Sequence, residues 1–337
     1  MNFTPPWRSA TAWIGWSLLA FVGGCAQPQL RVGEWFGPSE PAHISVRQLP
    51  QDPTARLLTT PHYQIYSTIG DDELLDKLGQ LMEGSLQAYH TLAPDVTITS
   101  KPMTCYIFSR RSQWAEFTYE HTGGMAPLYL QINRGGYTVG EWYVAYYIGD
   151  SSTLAVSAHE GWHQFCARHF IARLPPFMEE GFATMFESVH IRNGLPIFNL
   201  SINEDRAIAL RTCMDHGDLL PLDELVGMNA GQVIGRPNAE IAAFYAEAWG
   251  FARFLWDGDS QSHRTELAKI FADCATGDIY DPTGPPHNRL RGWTARGARA
   301  MLEHYLGMSW DQIDDAYDKY IHSVADDELP NETFEPW

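Results

Sequence analysis

Alternation of apolar and polar positions marks the first half of the chain. The stretches YQIYSTI (63–69) and MTCYIF (103–108) follow a period of two, which predicts β-strands. APLYLQIN (126–133) and EWYVAYYIG (141–149) are predicted as further strands, separated by the turn signal RGGYTVG. Residues 71–92 instead carry apolar residues at helical spacing behind an acidic first turn, so we predict a helix there.

The second half of the chain changes to helical spacing. One helix is predicted from N-capping residues at Asp150 and the two serines after it, through His163, to about Phe170. A second covers 175–190 and begins with proline, which is favoured in the first turn of a helix. Further helices are predicted at 203–214, 239–256, 262–273, 295–306 and 310–324, and a short helix at 111–121 belongs to the first half of the chain. Strands followed by helices are typical of an α+β fold.

The N-terminus has the pattern of a targeting segment. Arg8 precedes the apolar run TAWIGWSLLAFVGG, which is shorter than the roughly 20 residues that span a bilayer and suits a signal-peptide core. The ending VGGC resembles the lipobox of bacterial lipoproteins, which implies a signal peptide at 1–24 and a lipid anchor on Cys25; a plain signal peptide is the alternative. We interpret 25–54, rich in proline and glycine, as a tether and 326–337 as a tail.

Export bears on the remaining cysteines, because disulfides persist outside the cytoplasm. Four cysteines allow three pairings, and the sequence does not choose among them. They are Cys105, Cys166, Cys213 and Cys274. None forms a C-x-x-C pair, which argues against a zinc site made of cysteines.

The charge balance bears on possible partners. The 337 residues carry a formal net charge of −18 and contain no block of lysine and arginine. Nucleic-acid binders usually present basic patches to phosphates, so we exclude nucleic acid as a partner. A chain of this length, 45% hydrophobic, is long enough to bury a large core.

The stretch LAVSAHEGWHQF (154–165) contains the pattern H-E-x-x-H within a predicted helix. Residues four apart share a helix face, so His159 and His163 can present two imidazoles to one metal ion. Zinc accepts imidazole nitrogen and keeps a position open for water, and Glu160 can take a proton from that water. A chance match within an ordinary helix is the alternative interpretation.

Two residues compete to be the third ligand. His169 occupies the place of the third histidine in the metzincin pattern, but that pattern needs a turn at glycine, and Cys166 stands there. An uninterrupted helix would rotate His169 roughly 120° away from His163. Glu180, reached after a short loop, needs no such turn, and we favour it.

HEGWH followed by LPPFMEEGFATMFE resembles the gluzincin zinc peptidases, in particular the peptidase MA-like family. The resemblance implies that Glu180 is the third ligand of one zinc ion per chain and that Glu179 is its solvent-facing neighbour. Glu187 is either a buttress for a ligand or a solvated helix charge. The resemblance also implies a thermolysin/gluzincin-like fold, with a sheet-rich lobe at 55–149, a helical lobe at 150–325 and the zinc site between them.

The resemblance continues in AAFYAEAWGFARFLWDG (242–258), where it suggests Tyr245 as a hydrogen-bond donor to an oxyanion; a core aromatic is the alternative. The G-x-M-E-N segment of the related aminopeptidases has its nearest counterpart in GGMAP (123–127), which lacks the Glu and the Asn. Cleavage inside a peptide chain is therefore expected. The strand at 141–149 is either a site of strand addition for the substrate or a buried strand.

We therefore expect a zinc-dependent endopeptidase held at the bacterial cell envelope, with peptides or proteins as substrates. Two other hypotheses fit the same residues. One is an inactive binding or scaffolding lipoprotein on a peptidase fold, and the other is a zinc amidase that acts on cell-wall bonds.

Overall fold

A computed structural model describes residues 36–50, 52–233, 236–258, 263–288 and 290–326. The predicted signal peptide, Cys25 and the tail after residue 326 lie outside this part of the chain. The fold is mixed α+β, with a mixed sheet in the N-terminal part and helices in the C-terminal part, which confirms the predicted class.

The sheet has six strands in the order β1-β2-β3-β4-β6-β5. The strands are β1 (Ser45–Leu49), β2 (Asp52–Thr59), β3 (Tyr63–Ser67), β4 (Met103–Phe108), β5 (Gly136–Val139) and β6 (Trp142–Tyr146). β3, β4 and β6 run parallel, and the outer pairs are antiparallel. One free edge of the sheet is therefore β5.

Helices cover both faces of the sheet. The apolar inner positions of β3 and β4 pack against α1 (Asp72–Leu92) and α4 (Asp150–His169) in one continuous core. α2 (Arg111–His121) covers part of the outer face through Trp114 and Phe117. After α2 come a 3-10 turn (Gly123–Met125) and the short helix α3 (Ala126–Tyr129).

The C-terminal part is helical apart from one hairpin. Its helices are α5 (Pro176–Met185), α6 (Glu204–His216), α7 (Leu222–Leu225), α8 (Ala230–Val233), α9 (Asn238–Asp257), α10 (Arg264–Thr276), α11 (Ala295–Leu306) and α12 (Trp310–Asp326). The hairpin joins β7 (Val189–Arg192) to β8 (Leu195–Phe198), and its turn residues Asn193 and Gly194 both have positive φ.

Several local predictions were wrong. Residues 126–129 form a helix rather than a strand, and the predicted turn at 134–140 contains β5. β1 and the start of β2 lie within the predicted tether, so 45–54 belong largely to the sheet. The predicted strand at 141–149 is confirmed as β6, but β6 lies between β4 and β5 and cannot accept a substrate strand.

Two helix ends also differ from the prediction. The N-cap of α4 is Gly149, with φ 100°, and no side chain of Asp150 or the serines caps it. α5 ends at Met185, so β7 begins inside the stretch predicted as helix up to 190. Strand pairing with β8 overrides the helical pattern there.

The cysteines and the helices bear on the remaining expectations. Cys105, Cys166, Cys213 and Cys274 are buried free thiols, and no pair among them is joined. Across the described ranges, no helix combines the length and the apolar character that crossing a bilayer requires.

Candidate metal centre

The packing of α5 on α4 brings the two sequence motifs together. His159 and His163 lie one turn apart on α4, and Glu180 lies on α5, which packs against α4. The three side chains are mostly buried, with 12–14% of each exposed. Of all the described residues, these three form the one group of histidine, cysteine or acid side chains able to hold a metal ion.

The donor atoms form a nearly equilateral triangle. Nε2 of His159 and Nε2 of His163 are 3.3 Å apart, and Glu180 Oε2 lies 3.5 Å and 3.4 Å from them. Ligands at bond lengths of about 2.0–2.1 Å and tetrahedral angles lie about 3.3–3.4 Å apart around zinc. Two imidazole nitrogens and a carboxylate oxygen are also a donor set that zinc accepts. The residues therefore fit a zinc ion.

Each histidine is oriented by a second carboxylate. His159 Nδ1 lies 2.9 Å from Glu187 Oε1, and His163 Nδ1 lies 3.0 Å from Glu179 Oε1. A carboxylate only accepts, so the proton sits on Nδ1 and leaves the Nε2 lone pair for a ligand bond. Of the two alternatives for Glu187, the structure shows the one in which its carboxylate supports His159. The prediction that Glu179 faces solvent was wrong, because its carboxylate bonds His163.

Two side chains hold the carboxylate of Glu187 in place, one on α6 and one at the N-cap of α6. Arg206 donates from Nε and Nη2 to the two carboxylate oxygens, at 2.9 Å and 2.8 Å, and Asn203 Nδ2 donates at 3.0 Å. Burial alone would raise the pKa of Glu187, but Arg206 and His159 lower it to about 2. Neither Arg206 nor Asn203 carries a sequence signal for this role, so neither was predicted.

Charge accumulates around the triad. Burial disfavours protonation of His159, yet Glu180 and Glu187 raise its pKa to about 9. Glu180 shows the converse: burial raises its pKa, and His163 and His159 hold it well below its usual range. Without a metal ion, the carboxylates therefore favour the protonated, positively charged forms of the two histidines. The Nε2 atoms that would bind a metal ion then carry protons.

Glu160 lies beside the triad on α4, next to the edge strand β5. Thr138 Oγ1 lies 3.0 Å from both Glu160 Oε2 and the Glu160 backbone oxygen, and its single hydroxyl proton is shared between these two acceptors. Burial raises the pKa of Glu160, although His163 and His159 oppose the shift. A buried carboxylate with a raised pKa is suited to accept a proton. The role of Thr138 was not predicted, because the glycines of RGGYTVG favour a turn and outweighed the strand-forming residues at 137–139.

Tyr245 on α9 faces the same site. Its ring centroid is 6.4 Å from that of His159, and the Arg206 guanidinium lies over the ring at 5.1 Å. Within the described ranges its hydroxyl forms no hydrogen bond. Burial and, as a smaller effect, the negative charge of Glu180 keep the pKa of Tyr245 well above its usual value. The hydroxyl therefore stays protonated and able to donate. The structure thus brings the predicted residue next to the triad.

The glycines in both motifs permit close helix packing. A Cβ at Gly161 would lie within 3.0 Å of Tyr89 Oη on α1, and Tyr89 donates to the carbonyl of Ala158. A Cβ at Gly181 would lie within 3.0 Å of the Ala248 carbonyl on α9. Glycine next to Glu180 therefore sets the distance between α5 and α9.

His169, the rival third ligand, lies elsewhere. Its Nε2 accepts from the Thr99 backbone at 3.3 Å, and its Nδ1 bonds the Phe165 carbonyl at 2.9 Å. α4 continues without a break to His169, so the helix rotates this side chain away from His163.

Comparison of the chain with protein-family models, with curated proteins and with solved structures finds no match.

Proposed function

We propose that this chain is a zinc-dependent endopeptidase of the gluzincin, peptidase MA-like type, with a thermolysin-like arrangement of sheet and helices. The donor triangle of His159, His163 and Glu180 is the observation that carries the proposal, because its edges match those around tetrahedral zinc. Three protein ligands are the number that catalytic zinc sites use, whereas structural sites use four.

The residues around the triad support hydrolysis. A zinc ion at this site would lower the pKa of a bound water toward neutrality. Glu160 accepts the proton of the attacking water, with Thr138 holding Oε2 in place. Tyr245 donates a hydrogen bond to the oxygen of the substrate carbonyl as negative charge develops there. Glu187 and Glu179 keep the two imidazoles in the tautomer that leaves Nε2 free.

The free edge of β5 supports a peptide substrate. Among the described strands β5 pairs with β6 alone, so its other side presents backbone groups to which an extended chain can add as a strand. Thr138 on this strand bonds Glu160, so a peptide bound at the edge passes the proton acceptor. No recognition of a free amino terminus is needed for this arrangement, in line with cleavage inside a chain.

We place this activity at the bacterial cell envelope, on the basis of the sequence before Cys25 alone. In the proposal, a lipid on Cys25 anchors the chain. Intact-mass analysis of the membrane fraction tests this directly: a diacylglyceryl mass on the mature chain is expected. An unmodified chain in the soluble fraction would remove the anchor from the proposal without affecting the zinc site.

Zinc content and Glu160→Gln test the function. The chain after Cys25, purified without added metal or chelator, is expected to hold about one zinc ion. Glu160→Gln should keep the zinc and lose about 100-fold or more of peptide hydrolysis, the range of a general base. Glu116→Gln, exposed on α2, is the matched control with unchanged rates. Full hydrolysis by Glu160→Gln, or a chain that takes up no zinc on titration, would contradict the proposal.

A further inference from the structure

Aromatic rings on the outer face of the sheet form a row that leads to the candidate site. Trp114 contacts Tyr146 at a centroid distance of 5.3 Å and Tyr137 at 5.9 Å. Tyr129 then stacks on Tyr137 at 4.1 Å, with the two planes 13° apart. Within the described part of the chain no further ring contacts Tyr129, which is half-buried. The row thus crosses from β6 to the edge strand β5 and ends at Tyr129.

The register of β5 relates this row to Glu160. Tyr137 and Thr138 are consecutive strand residues, so their side chains point to opposite faces of the sheet. Thr138 bonds Glu160 on the inner face, and Tyr137 carries Tyr129 on the outer face. Tyr129 and Glu160 therefore flank the same short length of the free edge.

Electrostatics agrees with this proximity. Burial raises the pKa of Tyr129, and the nearby carboxylate of Glu160 raises it further, against an opposing effect of Arg173. The hydroxyl of Tyr129 is therefore neutral, and its ring offers an apolar face with a polar tip.

A peptide added to β5 would place alternate side chains on the two faces. Directly opposite residues in a strand pair have side chains on the same face, so the substrate residue opposite Tyr137 points toward the outer face. Tyr129, which stacks on Tyr137, lies on that face. The residues on either side of it point toward Glu160.

We propose that Tyr129 determines substrate specificity by stacking on an aromatic or large aliphatic side chain of the substrate, in the residue adjacent to one that faces Glu160. This inference rests on the proposed peptidase function and names its substrate class: peptide segments with an aromatic or large aliphatic residue at one fixed position. Aromatic pairs prefer stacked or edge-on contact, so phenylalanine is favoured over alanine there.

Peptide binding to Glu160→Gln tests the inference without turnover. In a peptide series, alanine is replaced by phenylalanine at one position at a time, and calorimetry measures each affinity. One position should favour phenylalanine by about fivefold to tenfold, the usual worth of a ring contact. Adding Tyr129→Ala should remove that preference, and Tyr129→Phe should keep it. Tyr119→Ala, with a ring 74% exposed on α2, is the matched control.

The outcomes separate this inference from the proposed function. Zinc binding with hydrolysis but no aromatic preference would overturn the role of Tyr129 alone. A preference that survives Tyr129→Ala in a chain with unchanged zinc content and circular dichroism would do the same. A chain that binds no zinc would contradict the peptidase, whereas the peptide affinities of Glu160→Gln need no metal and would still decide the role of Tyr129. For the active enzyme, we expect Tyr129→Ala to raise KM for the preferred peptide with little change in kcat.

Discussion

Two regions of the molecule each bury histidine against carboxylate, and only one of them leaves a site for a ligand. In the candidate metal centre, carboxylates bond Nδ1 of both histidines, and the Nε2 atoms converge on Glu180. In a distal cluster made of Asp281, His287 and Arg291, the histidine Nε2 itself bonds Asp281 at 2.8 Å, and Arg291 bonds the same oxygen at 2.5 Å.

The difference lies in the atoms that remain free and in the charge. Asp281 also accepts from the Thr283 backbone and hydroxyl, so the distal carboxylate is saturated, and Trp293 stacks on the His287 ring at 3.9 Å. In the candidate metal centre, Arg206 neutralises Glu187, whereas the positive partners of Glu179 and Glu180 among the described residues are the two histidines. A carboxylate saturated in this way has no oxygen left for a ligand, whereas converging donors with excess negative charge suit a cation.

Removal of a ligand should give the largest effect. We expect Glu180→Ala or His159→Ala to weaken zinc binding by more than about 100-fold, beyond the range of residues that only orient a ligand. His287→Ala should leave zinc affinity unchanged. Competition with a chromophoric chelator measures all three. A His287→Ala chain that lost its zinc would mean that the two regions are not distinct in function.

The orienting carboxylates should have the next effect. Glu187→Gln and Glu179→Gln keep the size of the side chain but offer the imidazole an uncharged acceptor, so zinc affinity should fall by about 10–100-fold. Asp281→Asn in the distal cluster is the counterpart. It should lower the free energy of unfolding and leave zinc affinity unchanged. Titration calorimetry and urea unfolding on the same samples separate the two readouts. Equal zinc affinities for all three variants would remove the orienting role.

The glycines should show how tightly each region is packed. Gly181→Ala places a methyl group against the Ala248 backbone carbonyl, so we expect a loss of about 1–3 kcal/mol in unfolding free energy. Gly297→Ala also meets the Asp281 carboxylate, but at 2.8 Å the overlap is smaller than the one at Gly181, so the substitution should cost less. Gly124→Ala has open space and is the control. A tolerated Gly181→Ala would mean that α5 and α9 can separate without cost.

The pH dependence should be the smallest effect and opposite in sign between the regions. In the zinc-free chain the pKa of His159 is raised to about 9, so its contribution to stability is complete below about pH 6.5 and lost as pH rises through about 9. Burial lowers the pKa of His287, so its contribution is complete above about pH 6.5 and lost as pH falls.

Urea unfolding of the zinc-free chain between about pH 5 and pH 9 checks both signs. The stability difference between the native chain and His159→Gln should shrink toward high pH, and the difference for His287→Gln should shrink toward low pH. Zinc must be absent, because the metal and the proton compete for the same nitrogens. Parallel pH profiles for the two variants would contradict the assigned shifts.

The sequence determined the features that depend on short-range spacing. Four-residue spacing puts His159 and His163 on one face of α4 whatever surrounds the helix, and the cysteine at 166 left no glycine turn for His169. The long periodic helices, such as α1 and α9, were likewise predictable from apolar spacing. Helix propensity and periodicity act within a few residues, so the chain alone contains them.

Tertiary structure decided which groups meet. Whether Glu179 faced solvent or His163 depended on how α5 packs on α4, and that distance depends on Gly181 against a carbonyl of α9. Glu187 became a buttress only because α6 supplies Arg206 from nineteen residues away. RGGYTVG became the edge strand because β6 offered it a partner, although its glycines favour a turn. These outcomes follow from contacts between distant segments, whose free energies exceed local preferences and leave no trace in local spacing.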